Sequence, residues 1–335
     1  MSYSGIQMIG TQRSGSNLLR LILNQAPEIV SVHPVHLLIN FLPLMKYYEP
    51  MDETSYRRLV GDVVEYVSAN PVKWETELDG EILFGMTREY SLFELNKNIY
   101  EYLAAQKEAT IWCCKSMGNM YYSSRLEENI PDLKYIYLYR DGRDVALSFQ
   151  KAIVGEKHIY QIAKQWHEDQ QACLDLQNST PRERFFALRY ESLIEDPTAC
   201  IKELCHFLSI PFTESMLDYY ASKDSKRTAE GGEMWANLTK PIMQDNSNKF
   251  LNEMSDQEIL IFESVAYDSL LALNYKPVYA REDLLTFSQD RIEEFEKENN
   301  ALIAVIKQKV NAEDIIKRQP QLDILKRIHS YEAVH

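Results

Sequence analysis

Short apolar runs alternate along the chain with longer stretches in which apolar residues recur every three or four positions. The first run covers residues 5–10 and is followed by a helical pattern from Ser16 to about Gln25, which Pro27 ends. Three later runs have the length and composition of buried strands: residues 110–115, 135–139 and 185–190. Strands that alternate with helices predict an α/β fold, with a central parallel sheet flanked by helices on both faces.

The stretches between and after these runs are predicted to be mainly helical. Residues 37–103 have mixed helical periodicity and predict helical insertions over the sheet. A helix is expected at residues 197–208, because Asp196 can cap it and a proline stands at its first position. Residues 222–248 are polar and are predicted to form a mobile loop, and a helix over residues 256–273 completes the domain.

The composition changes after residue 280, which predicts a domain of residues 1–280 and a C-terminal helical tail of residues 281–335. A long charged helix is expected over residues 283–310 of this tail. Five of its residues have the a and d spacing of a coiled coil: Ile292, Phe295, Asn299, Leu302 and Ile306. They make only about two heptads, fewer than a coiled coil needs, so packing back onto the domain explains them at least as well as a homodimer.

Charge, cysteine content and the length of apolar runs limit the class of protein. The 335-residue chain has a formal net charge of −14, which disfavours nucleic acid as a partner. An anionic ligand must therefore be held by cations and amides placed locally against the average field. The five cysteines have no zinc-like spacing and predict free thiols. No run of 18 apolar residues and no signal-type segment occur, so we expect a soluble cytoplasmic protein without a membrane span.

A polar loop joins the first predicted strand to the first helix. Such a junction directs unpaired backbone N–H groups, the positive end of a helix dipole and two hydroxyls at one point, which suits a phosphate or sulfate. Gly10 and Gly15 have the spacing of a nucleoside-triphosphate loop, but Ser16 and Asn17 replace its lysine and hydroxyl residue, and Arg13 lies inside the loop. The sequence therefore predicts an anion site that uses an arginine and needs no metal.

A second charged loop follows the predicted strand 135–139. It carries Arg140 and leads into a helix with Ser148, whereas Arg143 and Asp144 are expected to form an ion pair within the loop. Two such junctions imply a ligand with two separated anionic groups. Ligands of parallel sheets bind at the carboxyl ends of the strands, and four residues fall at those ends: Gly10, Lys115, Arg140 and Tyr190.

These motifs together resemble those of sulfotransferases that use 3′-phosphoadenosine 5′-phosphosulfate (PAPS). Residues 12–19 resemble their 5′-phosphosulfate loop, in the form found in tyrosylprotein-type and bacterial enzymes. Residues 139–148 are similar to their 3′-phosphate motif, and residues 189–193 to a segment whose tyrosine contacts the nucleotide. The resemblance covers most of residues 4–276. It implies a P-loop-like three-layer fold and transfer of a sulfuryl group from PAPS to a hydroxyl.

The resemblance also implies roles for individual residues. Lys115 matches the transition-state lysine of the tyrosylprotein-type enzymes, and Arg13 with the loop amides would hold the 5′ end of the donor. Arg140 and Ser148 would bind the 3′-phosphate, as charge-assisted contacts suit a phosphate. The full set of donor-binding residues that the resemblance implies is Arg13, Ser14, Gly15, Ser16, Asn17, Arg140, Ser148, Tyr190, Ser225 and Lys240.

The general base is the least determined part of the predicted site. Met117 stands where the cytosolic enzymes have a histidine, and no carboxylate occupies the position of the glutamate of the tyrosylprotein-type relatives. An imidazole can accept a hydroxyl proton near neutral pH. His33 is the first candidate, His36 the second and Glu28 a distant third.

Two other functions remain open at this point. A kinase-like phosphotransferase is disfavoured by the missing lysine and magnesium ligand, and an inactive nucleotide-binding scaffold is disfavoured by the retained basic residues. The acceptor is not determined by the sequence. Small-molecule, glycan and lipid hydroxyls all remain candidates, including those of sugars, phenols, peptide tyrosines and secondary metabolites.

Overall fold

The computed structural model of the protein describes residues 3–309 and 312–331. Five parallel strands form one sheet in the spatial order β2-β3-β1-β4-β5. The strands are β1 (Ser4–Ile9), β2 (Ile29–Val30), β3 (Ile111–Cys114), β4 (Lys134–Tyr139) and β5 (Phe185–Arg189). The predicted α/β class with a parallel central sheet is confirmed.

Helices cover both faces of this sheet. They are α1 (Ser16–Leu23), α2 (Leu37–Phe41), α3 (Glu53–Ser68), α4 (Gly80–Met86), α5 (Leu92–Gln106), α6 (Ser123–Asn129), α7 (Gly142–Lys151), α8 (Ile159–Ser179), α9 (Tyr190–Glu195), α10 (Pro197–Leu208), α11 (Lys223–Glu230), α12 (Phe250–Glu253), α13 (Asp256–Ala272), α14 (Gln289–Lys309) and α15 (Ala312–His329). Short 3₁₀ helices connect several of them, including one at Glu233–Thr239.

The alternation of side chains in β1 divides the core into two layers. Ile6 and Met8 lie in a fully buried cluster with residues of α1 and α10, whereas Ile9 lies in the larger cluster on the other face with α5, α8 and α13. Successive strand residues point to opposite faces, so this strand is apolar on both sides. The result is the three-layer arrangement that the sequence predicts.

Residues 222–248 are more ordered than predicted. They contain α11 and the 3₁₀ helix at Glu233–Thr239 in place of a mobile loop. The Ser222 side chain caps α11 by accepting from the Ser225 amide at 3.0 Å. The fully buried Arg20 of α1 then anchors the helix, since its guanidinium donates to Asp224 at 2.7 Å and to Thr228 at 2.8 Å.

The first tail helix begins later than predicted and packs on the domain. Helix α14 starts at Gln289, and the predicted end at residue 310 lies outside the described residues. Phe295 is buried and stacks on His158, with ring centroids 4.6 Å apart. The side-chain Oδ1 of Asn299 accepts the backbone N–H of Lys157 at 2.8 Å. Two of the five residues with coiled-coil spacing are therefore used in contacts within the chain.

The second tail helix, α15, docks against α3. Its Ile324 and Ile328 are buried, and Arg327 forms ion pairs with Asp62 at 2.8 Å and Glu65 at 2.6 Å. The tail therefore contacts the domain along this face, and the domain boundary after residue 280 stays a prediction. In the parts of the chain that are described, no helix is long and apolar enough to cross a membrane.

Candidate active site

A cavity of about 650 Å³ opens at the carboxyl ends of the strands. Its walls are basic although the chain as a whole is acidic, since six lysines and arginines line it against two carboxylates. These residues are Arg13, Lys115, Arg140, Lys151, Lys249 and Arg318 against Asp144 and Glu253. Local cations in an acidic protein indicate a site for an anionic ligand.

Glycines permit the tight turn between β1 and α1. Gly10 has a φ of 128°, and a Cβ there would lie 2.3 Å from the Leu138 carbonyl oxygen. Gly15 precedes α1 in the left-handed region, and no side chain caps the helix. The first amides of α1, including those of Ser16 and Asn17, are consequently available to an anion in the cavity.

Gly15 also contacts the residue that follows β5. A Cβ on Gly15 would lie 2.5 Å from the Tyr190 ring, and the glycine φ of 88° disfavours any other residue. We expect Gly15→Ala to lower stability by about 1–3 kcal/mol, and to reduce the melting shift that a bound nucleotide produces. Gly61→Ala is the control, because nothing lies within 4 Å of that exposed helical position. Equal melting temperatures and equal nucleotide shifts for the two variants would contradict this account of the loop.

The side chains after β4 form a compact basic cluster. Arg140 lies over the Tyr190 ring, with its guanidinium carbon 4.5 Å from the centroid, and donates to the backbone carbonyls of Asn246 at 2.9 Å and Arg13 at 3.3 Å. The Arg13 Nε donates to the Ser148 hydroxyl at 2.9 Å. Burial, together with the charge of Arg140, lowers the pKa of Arg13 to about 10. The two arginines therefore place two positive charges close together at this end of the cavity.

The N-terminus of α7 differs from that of α1, because a side chain caps it. The Asp141 carboxylate caps this helix by accepting from the Arg143 amide at 3.0 Å. The predicted ion pair between Arg143 and Asp144 is wrong: Arg143 pairs with Asp141 at 2.7 Å and Glu263 at 2.6 Å, and Asp144 lies 3.8 Å from Arg140. The carboxylate cap disfavours an anion at this helix N-terminus, so the side chains of Arg140 and Ser148 are the candidate anion-binding groups here.

Several buried polar atoms around the cavity have no hydrogen-bond partner within the described residues. They belong to the loop after β1, to the end of β4 and to the opposite wall, and comprise Ser14 Oγ, Asn17 Oδ1, Arg140 Nε, Asp144 Oδ2, His33 Nε2 and two nitrogens of Arg318. Unpaired buried polar atoms are costly. Their concentration around one cavity indicates a polar ligand.

Lys115 follows β3 and is held by its backbone neighbours. The buried Gln7 amide donates to the carbonyls of Cys114 at 3.1 Å and Ser116 at 3.0 Å, which fixes the turn on both sides of Lys115. Burial, and then the charges of Arg20 and Arg13, lowers the pKa of Lys115 to about 7. Such a lysine gains its charge most readily when an anion binds beside it.

Both candidate histidines line the cavity, but their ring nitrogens differ. The Asn70 amide nitrogen donates to the Val72 carbonyl at 3.0 Å and lies 3.4 Å from His33 Nδ1. If the Asn70 side-chain amide were flipped, its oxygen would face the Val72 carbonyl oxygen, and two acceptors would meet. The amide nitrogen is therefore the atom that faces His33. His33 Nδ1 then accepts, and the ring proton is on Nε2, which points away as a donor. This geometry disfavours His33 as the base.

His36 is the other candidate base. It lines the cavity, has a left-handed backbone with φ of 52°, and is held where its carbonyl accepts from the Asn40 side chain at 3.0 Å. Burial, with Lys115 nearby, lowers the pKa of His36 to about 4, and burial lowers that of His33 well below its usual value. Both imidazoles are therefore neutral at pH 7.

Four residues named from the sequence do not line the cavity: the fully buried Ser14, and Glu28, Ser225 and Lys240. The backbone of Glu28 accepts from the amides that begin β3, at the opposite edge of the sheet. The Ser225 hydroxyl donates to the Leu238 carbonyl, and Lys240 is exposed. The late loop of the relatives is a helix here, so the spacing of this pair does not carry over.

Other cavity residues were not predicted from the sequence. The Asn246 side chain donates to the Tyr190 hydroxyl at 2.7 Å, and the Trp235 ring contacts the His33 ring at a centroid distance of 4.7 Å. Arg318 comes from α15. These contacts join segments far apart in the chain, and no local pattern indicates them. The described residues include no group of three or more His, Cys, Asp or Glu side chains placed to hold a metal.

Comparisons with known proteins agree with the fold. A model of the sulfotransferase family matches residues 5–214, more than half of the chain, and the protein therefore belongs to the sulfotransferase family. The chain is similar to protein-tyrosine sulfotransferase A of Caenorhabditis elegans, with 22% identity over 275 residues. That match covers 80% of this chain and 66% of the nematode protein, just under two thirds of its length.

Two solved sulfotransferase domains share the fold. The domain of the Synechococcus PCC 7002 olefin synthase has a TM-score of 0.54 at 22% identity, covering 80% of this chain and 96% of its own. The domain of the curacin biosynthetic pathway has a TM-score of 0.55 at 22% identity, covering 82% and 99%. At this level of identity the likeness concerns the fold.

Proposed function

We propose that this protein transfers a sulfuryl group from PAPS to a hydroxyl group of an acceptor. The observation that carries the proposal is one cation-lined cavity that combines an uncapped helix N-terminus, the buried Lys115 and the cluster of Arg13, Arg140 and Ser148. The donor has anionic groups at both ends of its ribose, and the cavity has a cationic subsite for each. Membership of the sulfotransferase family supports the same reaction class.

In this proposal the phosphosulfate end binds the first amides of α1 and Lys115. The 3′-phosphate binds Arg140 and Ser148, because charge-assisted hydrogen bonds to a phosphate are the stronger kind. Arg13 was predicted to hold the 5′ end, but its hydrogen bond to Ser148 favours the 3′-phosphate. The Tyr190 ring, fixed by Arg140 and Asn246, would contact the nucleotide.

The proposed reaction is an in-line displacement at sulfur. A bond forms between the acceptor oxygen and sulfur, the bond from sulfur to the bridging oxygen breaks, and its electron pair leaves with adenosine 3′,5′-bisphosphate. Negative charge therefore develops on the bridging oxygen. A protonated Lys115 at the end of β3 would stabilise that charge, and positioning of the two reactants supplies the remainder of the rate enhancement.

The acceptor hydroxyl loses its proton as it attacks. We propose His36 as the group that takes it, because its imidazole is neutral and lines the cavity with Lys115. His33 would donate from Nε2 to the acceptor oxygen or a neighbouring polar group, since Asn70 faces its Nδ1. The order of the two histidines is thus the reverse of that predicted from the sequence.

Ligand-dependent melting tests the proposal. At about 100 times its dissociation constant, adenosine 3′,5′-bisphosphate should add roughly 2.7 kcal/mol of stability. The 2′,5′-bisphosphate is the matched control, since it has the same charge and base but lacks the 3′-phosphate for Arg140 and Ser148. ATP with magnesium should also shift the melting temperature much less. Equal shifts from all three nucleotides would overturn the proposal and favour a kinase.

A further inference from the structure

The C-terminal helix α15 forms one wall of the cavity. Arg318 and Gln321 of this helix line it, on the side where His33, His36 and Trp235 also lie. The guanidinium carbon of Arg318 is 5.7 Å from the Trp235 ring centroid, and that ring contacts His33 at 4.7 Å. Arg318 is therefore near His33, on the side of the cavity that the proposed function assigns to the acceptor.

Arg318 has unused hydrogen-bonding capacity. Its Nε and one terminal nitrogen are buried and have no partner within the described residues. Within residues 3–309 and 312–331 no carboxylate forms an ion pair with Arg318, although the charge of the buried Asp314, one turn earlier on the same helix, acts on it. A partly buried guanidinium with neither an ion pair nor partners for two of its nitrogens is unfavourable without a ligand.

The two carboxylates that line the cavity lie next to cations other than Arg318. Asp144 lies 3.8 Å from Arg140, and Glu253 pairs with Lys151 at 2.6 Å. Both pairs are on the donor side. The acceptor side is lined by neutral polar and aromatic side chains with Arg318 as its cation: Asn40, Tyr66, Asn70, Trp235 and Gln321.

The position of Arg318 is fixed by the docking of α15. Gln321, one turn further on, donates to the Tyr66 carbonyl of α3 at 3.1 Å, and Lys317 donates to the Glu230 carbonyl at 2.8 Å. The match to the family model ends at residue 214, so this wall is built from a part of the chain beyond that match.

We infer that Arg318 binds an anionic group of the acceptor, so that the acceptors are hydroxyl compounds that also carry a carboxylate, phosphate or sulfate group. The planar guanidinium with two unpaired nitrogens suits a bidentate contact to any of the three. The acceptor would then place its anionic group at Arg318 and its hydroxyl near His36. This inference rests on the proposed function, because it assigns the donor to the other half of the cavity.

Binding of matched benzyl compounds tests the inference. The protein saturated with adenosine 3′,5′-bisphosphate is titrated, up to 20 mM, with phenylacetate, benzyl phosphate, benzyl sulfate and the neutral benzyl alcohol. At least one anion should bind about 10- to 100-fold more tightly than the alcohol, as for a charge-assisted bond. Comparison among the three anions distinguishes carboxylate, phosphate and sulfate as the preferred group.

Two variants assign any preference to the residue. Arg318→Gln should reduce anion affinity to the level of the alcohol, whereas Lys326→Gln, the same charge change on an exposed position of α15, should leave it unchanged. An anion preference that survives in Arg318→Gln, or anions that bind no better than the alcohol, would overturn the inference. Failure of the bisphosphate to bind would instead count against the proposed function, and the titration could still be made without it.

Discussion

Replacing His36 with asparagine is expected to lower turnover by about 10²–10⁴-fold, the usual contribution of a general base. Asparagine removes the imidazole but tolerates the left-handed backbone of residue 36, whose φ is 52°. The melting temperature and its rise with adenosine 3′,5′-bisphosphate should stay close to those of the wild type. Single-turnover assays with saturating donor measure the effect.

The pH dependence gives a second measurement on the same variant. A base must be unprotonated, and the pKa of His36 lies at about 4, so activity should be lost only as pH falls through that region. His36→Asn should remove this acidic limb. His33→Ala should raise the KM for the acceptor more than it lowers turnover. If His33→Ala instead removes turnover and His36→Asn keeps it, the assignment of the ring proton through Asn70 is wrong.

Lys115→Met is expected to lower turnover by about 10²–10³-fold, as removal of a group that stabilises transition-state charge does. Affinity for the bisphosphate product should remain nearly intact, because that product lacks the sulfuryl group. Lys134→Met is a suitable control, since that lysine begins β4 at the opposite edge of the sheet and donates to the Phe207 carbonyl. Loss of product binding with normal turnover would contradict the role given to Lys115.

The lowered pKa of Lys115 predicts the direction in which donor binding depends on pH. In the free protein the ammonium loses its proton as pH rises through about 7. An anionic donor favours the charged form, so its binding above pH 7 takes up a proton and kcat/KM falls on the alkaline side. Calorimetry in buffers of different ionisation enthalpy measures this uptake. Lys115→Met should abolish the uptake that depends on this residue.

The sequence predicts which residues gather at the carboxyl ends of the strands, because the signals there are local. Arg13, Lys115, Arg140 and Tyr190 each follow a strand, and parallel strands bring their carboxyl ends to one edge. The identity of each residue and its place after a strand are sufficient to predict that these side chains lie close together. Contacts across the sheet add only the detail that Arg13 bonds to Ser148.

The acceptor side depends on contacts between distant segments, which local patterns do not contain. Helix α11 is anchored by Arg20, about 200 residues earlier in the chain, and its charged sequence alone resembles a loop. Ser225 fails as a ligand residue because it lies in that helix. Arg318 reaches the cavity only because α15 packs on α3, and the proton position on His33 is decided by Asn70.

Transfer of label from PAPS carrying a radioactive sulfuryl group tests the central claim most directly. The wild-type protein, incubated with this donor and a pooled metabolite extract, should give a labelled organic product and release adenosine 3′,5′-bisphosphate in equal amount. Arg140→Ala should require more donor for the same rate, since a charged hydrogen bond is worth roughly 1.5–3 kcal/mol, and His36→Asn should give little product at any donor concentration. Label that stays on the donor, while ATP labelled in its terminal phosphate transfers that phosphate to the same extract, would contradict the account.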